Sequence, residues 1–436
     1  MPLVVDTDMA PDDVTAIASL LRDPGVDLRA ITVVGTGEAH CPGGMFVARS
    51  IVTMLVDRPV PVACGNASPL AAAEGFPAAW RAGADAGNGL QLVRPAYTPD
   101  SRPAAELLVE QSDAQVAARR RLTILTLGTL TNIASALQID PNLPSKVKLV
   151  SMLGAVRVPG NVTTQPGDPT AEWNAHADPT AVRRVLEAGF DWTLVPLDAT
   201  NSAPLTPELL AELGSDHVAG PADLVFELWT RNSYMTQGGF FLWDPLASVV
   251  ARDASVASVQ SMRLSVTDGD GLDGGRLRED PAGQAVSVAV SADRARFEST
   301  LLERLRVGAP RANSFTAVGS VEITGSAGRC EGTLHPATPP AGLLRIELTN
   351  TGPERLSAVV FELGGVSWAE IMTFTGAYDP AATPPPINLV AQVDAESGAT
   401  ATGYGSSPAG SLGIACVTGD PADPLIRLAG PFPIGG

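Results

Sequence analysis

The 436-residue chain has four cysteines, four histidines, few lysines and only 5% aromatic residues. Each scarcity excludes something. Cys41, Cys64, Cys330 and Cys416 are widely spaced and form no Cys-x-x-Cys pair, which argues against a zinc or iron–sulfur centre. No uninterrupted apolar stretch approaches the roughly 18 residues of a membrane span. The 29 basic residues are outnumbered by 47 acidic ones, for a net charge of −18. That balance disfavours nucleic acid or anionic lipid as the main partner, since both are held through surplus Lys and Arg. An apolar run begins almost at Met1, leaving no room for the charged and apolar regions of a secretion signal, so the expected location is the cytoplasm. Cys330 and Cys416 could pair in an exported chain, but free buried thiols are the expectation for a cytoplasmic one.

What the chain does have is acid at its start. Residues 4–13 read Val-Val-Asp-Thr-Asp-Met-Ala-Pro-Asp-Asp, four carboxylates within eight residues. Asp6 and Asp8 alternate off an apolar strand onto one side, while Asp12 and Asp13 fall where the apolar-periodic stretch 14–21 would begin as a helix. Converging like charges raise one another's pKa unless a cation separates them. A hard divalent ion with oxygen ligands, calcium or magnesium, resolves the conflict. Helix capping accounts for one or two such acids, not four.

The length exceeds what one core usually supports, so two domains are expected. Up to about residue 308, apolar runs at 2–5, 28–34, 122–127, 148–153 and 192–196 alternate with helical patterns at 13–21, 44–56, 104–118, 132–138, 180–188 and 299–307. Apolar strands separated by helices imply an α/β domain with an open, mostly parallel sheet covered on both faces. In such sheets ligands bind beyond the carboxyl ends of the strands, where the acidic cluster falls. Residues 309–316 read as a linker. From 317 to 436 the runs at 320–324, 343–348, 358–363, 371–374, 388–393, 412–416 and 425–428 are short and separated by Gly/Pro turns, the pattern of an antiparallel β-sandwich of unknown role.

Further motifs are Leu127-Gly-Thr-Leu-Thr-Asn-Ile-Ala134, Gly160-Asn161, Glu172-Trp-Asn174, Val195-Pro-Leu-Asp-Ala-Thr200 and Trp243-Asp244-Pro245. With the opening Asp-x-Asp-x-x-x-Asp-Asp, this series resembles the inosine-uridine-type nucleoside hydrolases over residues 3 to 305. The resemblance implies one Ca2+ at the strand ends and cleavage of the N-glycosidic bond of ribonucleosides to free base and ribose. Its ligands would be Asp8, Asp13, Asp244 and the backbone carbonyl of Leu127, with positions left for a water and two ribose hydroxyls. Asp8 would also be the general base that deprotonates that water. Asp12 and Asn174 would hold the ribose 2′- and 3′-hydroxyls, and Asn161 with Glu172 the 5′-hydroxyl.

Two departures bear on the leaving base. Trp243 stands where many relatives of this kind have a histidine acid, and Thr36 stands where they have asparagine. A purine can be protonated by solvent while stacked between aromatic rings, and Trp243, Trp80 and Trp229 are candidates to supply them. His176, two residues past Asn174, is a candidate substitute acid or a structural residue at a helix start, and His335 is isolated. A phosphatase of the haloacid dehalogenase type shares the Asp-x-Asp opening but lacks here a matching later lysine, and an EF-hand would need a central Gly and closing Glu. The remaining alternative is a catalytically altered domain that binds ribose or a nucleoside, with the sandwich contacting a protein or glycan. The expected partner is a small-molecule ribonucleoside, with no nucleic acid or membrane and with homo-oligomerisation left open.

Overall fold

The computed structural model describes residues 1–162, 171–236, 238–271, 273–373, 387–419 and 424–436. The chain divides into two compact units. One comprises Met1–Pro204, His217–Leu228 and Phe241–Ala312, and the other Leu205–Asp216, Trp229–Phe240 and Asn313–Gly436. Residues 205–216 and 229–240, which follow the α/β pattern in the sequence, group with the second unit.

The first unit is built on a nine-stranded sheet. Its strands are β1 (Pro2–Thr7), β2 (Asp27–Val33), β3 (Val62–Cys64), β4 (Leu122–Thr126), β5 (Val147–Met152), β6 (Asp191–Val195), β7 (Ala257–Val266), β8 (Leu277–Glu279) and β9 (Gln284–Ala292), in the order β3-β2-β1-β4-β5-β6-β9-β7-β8. From β3 to β9 neighbouring strands are parallel, while β7 runs antiparallel to both β9 and β8. The five expected strands are present, as are the helices Pro11–Leu21, Cys41–Leu55, Ala104–Ala117, Thr131–Ile139, Pro179–Glu187 and Arg294–Leu305. The β1, β4 and β5 side chains are almost wholly buried because helices cover both faces, which is why these segments read as continuous apolar runs. β7 has four exposed residues in succession, so it carries no such run and escapes sequence inspection.

The order of strands places the site. The chain leaves β1 outward to β2 and β3, then returns to lay β4 on the opposite side of β1. That reversal opens a crevice beyond the carboxyl ends of β1 and β4, the standard ligand position in open α/β sheets. Asp6 and Asp8 lie at the end of β1, and Leu127 directly follows β4, its N–H donating to the Asp6 carbonyl at 2.8 Å.

The second unit holds two four-stranded sheets. One orders β11 (Arg329–His335), β10 (Gly319–Ser326), β12 (Gly342–Asn350) and β15 (Thr400–Ser407); the other orders β14 (Asn388–Ala395), β13 (Leu356–Glu362), β16 (Gly410–Thr418) and β17 (Leu425–Ile434). Val321, Ile346, Leu348, Val360 and Ile414 fill the core between them. The sandwich is not purely antiparallel, for β10 and β12 pair in parallel. The expected strand at 371–374 is corrected to the helix Trp368–Thr373, with Phe374 outside the described residues. A capping box explains the difference. Ser367 N–H and Oγ donate to Glu370 Oε2 at 2.8 and 2.6 Å, while Glu370 N–H donates to Ser367 Oγ at 3.3 Å.

The cysteines correct a further expectation, since none is free. Cys41 at the start of its helix is joined to Cys64 at the end of β3, with Cα atoms 5.6 Å apart. Cys330 on β11 is joined across the sandwich to Cys416 on β16, with Cα atoms 5.7 Å apart. Packing of a helix on the sheet and of one sandwich sheet on the other brings these pairs together from 23 and 86 residues apart, a proximity that spacing in the chain does not reveal. No described helix is long and apolar enough to cross a membrane.

Candidate active site

The turn out of β1 is strained. Buried Met9 adopts φ 58°, a left-handed conformation uncommon for a non-glycine residue, between Asp8 and the helix that begins at Pro11. Pro11 opens that helix with its φ preset, and neither Asp12 nor Asp13 serves as its cap, because the N-cap is Ala10 and makes no side-chain bond. Both acids therefore project from the first turn with their carboxylates available.

Asp244 comes to them from 232 residues away. It sits in the first turn of helix Trp243–Arg252, which packs on helix Pro11–Leu21, and its N–H donates to Asp12 Oδ2 at 3.1 Å. Asp12, Asp13 and Asp244 each present a carboxylate oxygen within 4.8 Å of the other two, and all three are buried. Asp13 takes a hydrogen bond from Thr7 Oγ1 on one oxygen, while its buried Oδ2 has no donor partner among the described residues. None of Asp8, Asp12, Asp13 and Asp244 is paired with a described Arg, Lys or His.

Asp8 is held from several sides. Its Oδ2 accepts from Glu38 N–H at 2.9 Å and its Oδ1 from Ala10 N–H at 3.4 Å. Gly37 and Gly128 press on it so closely that a Cβ at either would lie 2.2 or 2.8 Å from the Asp8 Cβ. Those two positions accept no side chain, and they bring the loops after β2 and β4 against the same carboxylate. Leu127, beside Gly128, offers its carbonyl to Asn174 Nδ2 at 3.1 Å.

The electrostatics match this geometry. Burial raises Asp12 to about 7, and burial together with repulsion by Asp8 holds Asp13 well above the ordinary carboxylate range. Asp244 is raised well above that range by burial and then by Asp12 and Asp13, and Asp8 is raised by burial. Glu38 was missed in the sequence, yet burial, Asp8 and Asp12 raise it in the same way. Its only signal was its place in the loop after β2. Asp6 is raised to about 7 by burial, opposed by bonds to its Oδ1 from Asn132 Nδ2 at 2.7 Å and Thr32 Oγ1 at 2.5 Å, which tie β1 to β2 and to helix Thr131–Ile139.

Asn161, Glu172 and Asn174 all bond within the loops. Glu172 caps the short helix Trp173–His176, accepting from Asn174 N–H at 2.9 Å, Ala175 N–H at 3.2 Å and Gly154 N–H at 2.8 Å. Burial brings it to about 7, with a contribution from Asp8. Asn161 Oδ1 accepts from Trp173 N–H at 3.1 Å. Thr36 Oγ1 is engaged by Thr129 at 2.5 Å and Thr131 at 2.9 Å, and Thr131 bonds Asp178 at 2.6 Å.

The aromatic candidates separate. Half-buried Trp243 precedes Asp244, its ring 5.7 Å from that of Phe241. Trp80 is 43% exposed and edge-on to Trp173 at 5.5 Å, which itself stacks on Phe76 at 5.1 Å next to Asn174. Trp229 is completely buried, so its ring has no face for a ligand, which corrects its assignment as a base contact. Buried His176 shares a 2.7 Å bond between Nδ1 and the Gly274 carbonyl, which holds it as part of the local structure.

Residues 3–299 match the model of the inosine-uridine preferring nucleoside hydrolase family. The chain is 30% identical over 305 residues to the non-specific ribonucleoside hydrolase RihC of Salmonella schwarzengrund, covering 67% of this chain and 94% of that protein. It is 31% identical over 256 residues to a probable uridine nucleosidase 2 of Oryza sativa subsp. japonica, covering 56% and 72%. The crystal structure of the inosine-uridine preferring nucleoside hydrolase from Bacillus anthracis aligns with a TM-score of 0.62 at 26% identity, over 70% of this chain and 99% of that one. This protein belongs to the inosine-uridine preferring nucleoside hydrolase family, an enzyme family of nucleoside N-ribohydrolases. The matched residues end within helix Arg294–Leu305, before the first strand of the sandwich.

Proposed function

We propose that the chain is a calcium-dependent, purine-leaning ribonucleoside N-hydrolase. One observation carries the reading: three buried carboxylates from the two ends of the first unit gather within 4.8 Å without a cationic partner. An all-oxygen set with an orphaned buried Asp13 oxygen suits a hard divalent cation. Asp8, Asp13, Asp244 and the Leu127 carbonyl would hold Ca2+. The tightest trio contains Asp12 in place of Asp8, but one Asp12 oxygen already accepts from Asp244 N–H, which leaves the other for a ribose hydroxyl. When bound, calcium supplies a grip on the sugar diol and lowers the pKa of a water.

The remaining steps belong to the chain's own groups. Asp8 takes the proton of the attacking water, and the acidic crevice stabilises positive charge as the ribosyl group becomes oxocarbenium-like. Asn174 and Asp12 orient the 2′- and 3′-hydroxyls. Glu172 spends three acceptor sites on backbone N–H groups and keeps one for the 5′-hydroxyl beside Asn161. No described histidine bonds the carboxylates, so the base leaves by stacking against Trp243 and Trp80 while solvent protonates it.

The test is ribose release from a panel of nucleosides with and without chelator. Calcium-dependent release supports the reading. Tight nucleoside binding without release supports instead the altered binder that Thr36 and Trp243 favour. For the domain limits we keep 1–308 and 317–436 with a linker at 309–316, to be checked by limited proteolysis. The cytoplasmic location stays an expectation to be tested, because disulfides such as Cys41–Cys64 and Cys330–Cys416 persist where thiols are oxidised. Thiol labelling of protein taken directly from cells distinguishes the compartments, and sedimentation measures the oligomeric state.

A further inference from the structure

A cavity of about 550 Å³ opens in the second unit, lined by Glu362, Val366, Trp368, Ala409, Ser411 and Pro431, together with the Gly364-Gly365 turn and Gly410. Its size falls in the range of small-ligand sites. The half-buried Trp368 indole packs over β16 and β17. A Cβ at Gly413 would lie 2.9 Å from its ring, and one at Gly430 would lie 3.2 Å from it. Glycine at both positions lets the ring lie against the strands and fixes it as a wall. The capping box of Ser367 and Glu370 anchors the helix that carries it.

The lining chemistry is selective. Among the described residues no Arg, Lys or His lines it, so a phosphate, sulfate or other anion would meet the Glu362 carboxylate and no described counter-charge. Glu362 accepts from Asn388 Nδ2 on one oxygen and keeps the other, and the Ser411 hydroxyl stands nearby in the lining. A carboxylate and a hydroxyl beside one fixed indole suit a ligand with an apolar face and a polar rim of hydroxyls. Grooves for proline-rich peptides and cages for quaternary ammonium groups use several aromatic rings, and among the described residues this lining has one.

We propose that this cavity is a saccharide-binding site for a neutral glycan chain, stacked on Trp368 and hydrogen-bonded by Glu362 and Ser411. The site lies entirely within the second unit and does not depend on the nucleoside reading.

Native affinity gels containing hydroxyethylcellulose, xylan, pullulan or galactomannan test it with the full chain. At least one should retard the protein, and Trp368→Ala should weaken that retardation by about tenfold or more. Ala409→Arg, which fills the cavity from an exposed position, should do the same without removing core contacts and with an unchanged melting temperature, and ribose release should be unchanged in both variants. The proposal is overturned by passage unretarded through all four gels, or by retardation equal in wild type and both variants. It is equally overturned if a polyproline peptide or tetramethylammonium, not a polysaccharide, shows the Trp368-dependent binding.

Discussion

The two units differ in where they bury carboxylates: among the described residues every buried Asp and Glu lies in the α/β unit. In the sandwich several carboxylates form ion pairs at or near the surface: Glu331 with Arg329 at 2.5 Å, Glu347 with Arg345 at 3.0 Å and Asp394 with Arg355 at 3.1 Å. In the α/β unit Asp8, Asp12, Asp13 and Asp244 are 0–5% exposed and face one another. Exposed pairs contribute little to stability, whereas buried like charges are costly unless something neutralises them. The contrast is between buried carboxylates that face one another in the α/β unit and surface carboxylates that face arginines in the sandwich.

Breaking the buried group should give the largest effect. Asp13→Ala is expected to lose calcium and catalysis together, by at least the 10²–10⁴-fold or so typical of a lost general base, measured by calcium titration and ribose release. Unchanged turnover would refute the metal assignment. Next, Asp8→Asn should lower kcat by about 10²-fold or more, while Asp12→Asn should act mainly on KM. If Asp12→Asn instead abolished calcium binding and Asp8→Asn left it intact, the two roles would be exchanged.

Removing the ion sharpens the comparison through pH. Asp6, Asp12 and Glu172 ionise at about 7 in the fold, against 3.8 for the aspartates and 4.5 for the glutamate when unperturbed. Because the folded state holds these protons more tightly, chelated protein should lose stability as pH rises from about 4 to about 7 and level off above. Calcium should offset much of that fall. Melting curves across the range check this, and a stability that rises with pH over the same window would contradict it.

Smaller effects follow at the margins. Trp243→Ala should reduce kcat/KM by about tenfold for purine nucleosides and less for pyrimidines; equal losses would remove the stacking argument. Cys330→Ser should cost the sandwich about 2–5 kcal/mol, since the bond spans 86 residues, and should leave ribose release unchanged.

The parallel half of the sheet was readable because burial on both faces writes each strand as an apolar run. The antiparallel edge was not, because β7 and β8 are largely exposed. β15, Thr-Ala-Thr-Gly-Tyr-Gly-Ser-Ser, hides behind its glycines, two of which let it pass close to Val393 and the Val390 carbonyl. Within the site, Asp8, Asp12 and Asp13 announced themselves as a cluster, and Asp244 was placed by resemblance to a family. Glu38 and the packing of Trp173 on Phe76 and beside Trp80 gave no comparable signal, since each depends on which loops meet.

By itself the amino-acid order determined the α/β alternation and the acidic turn after the first strand, because these are local patterns of burial and charge. Tertiary structure alone decided that Asp12, Asp13 and Asp244 share one pocket, that Trp229 is core and that the cysteines pair. Each of those outcomes is set by distances between segments far apart in the chain, and only packing fixes such distances.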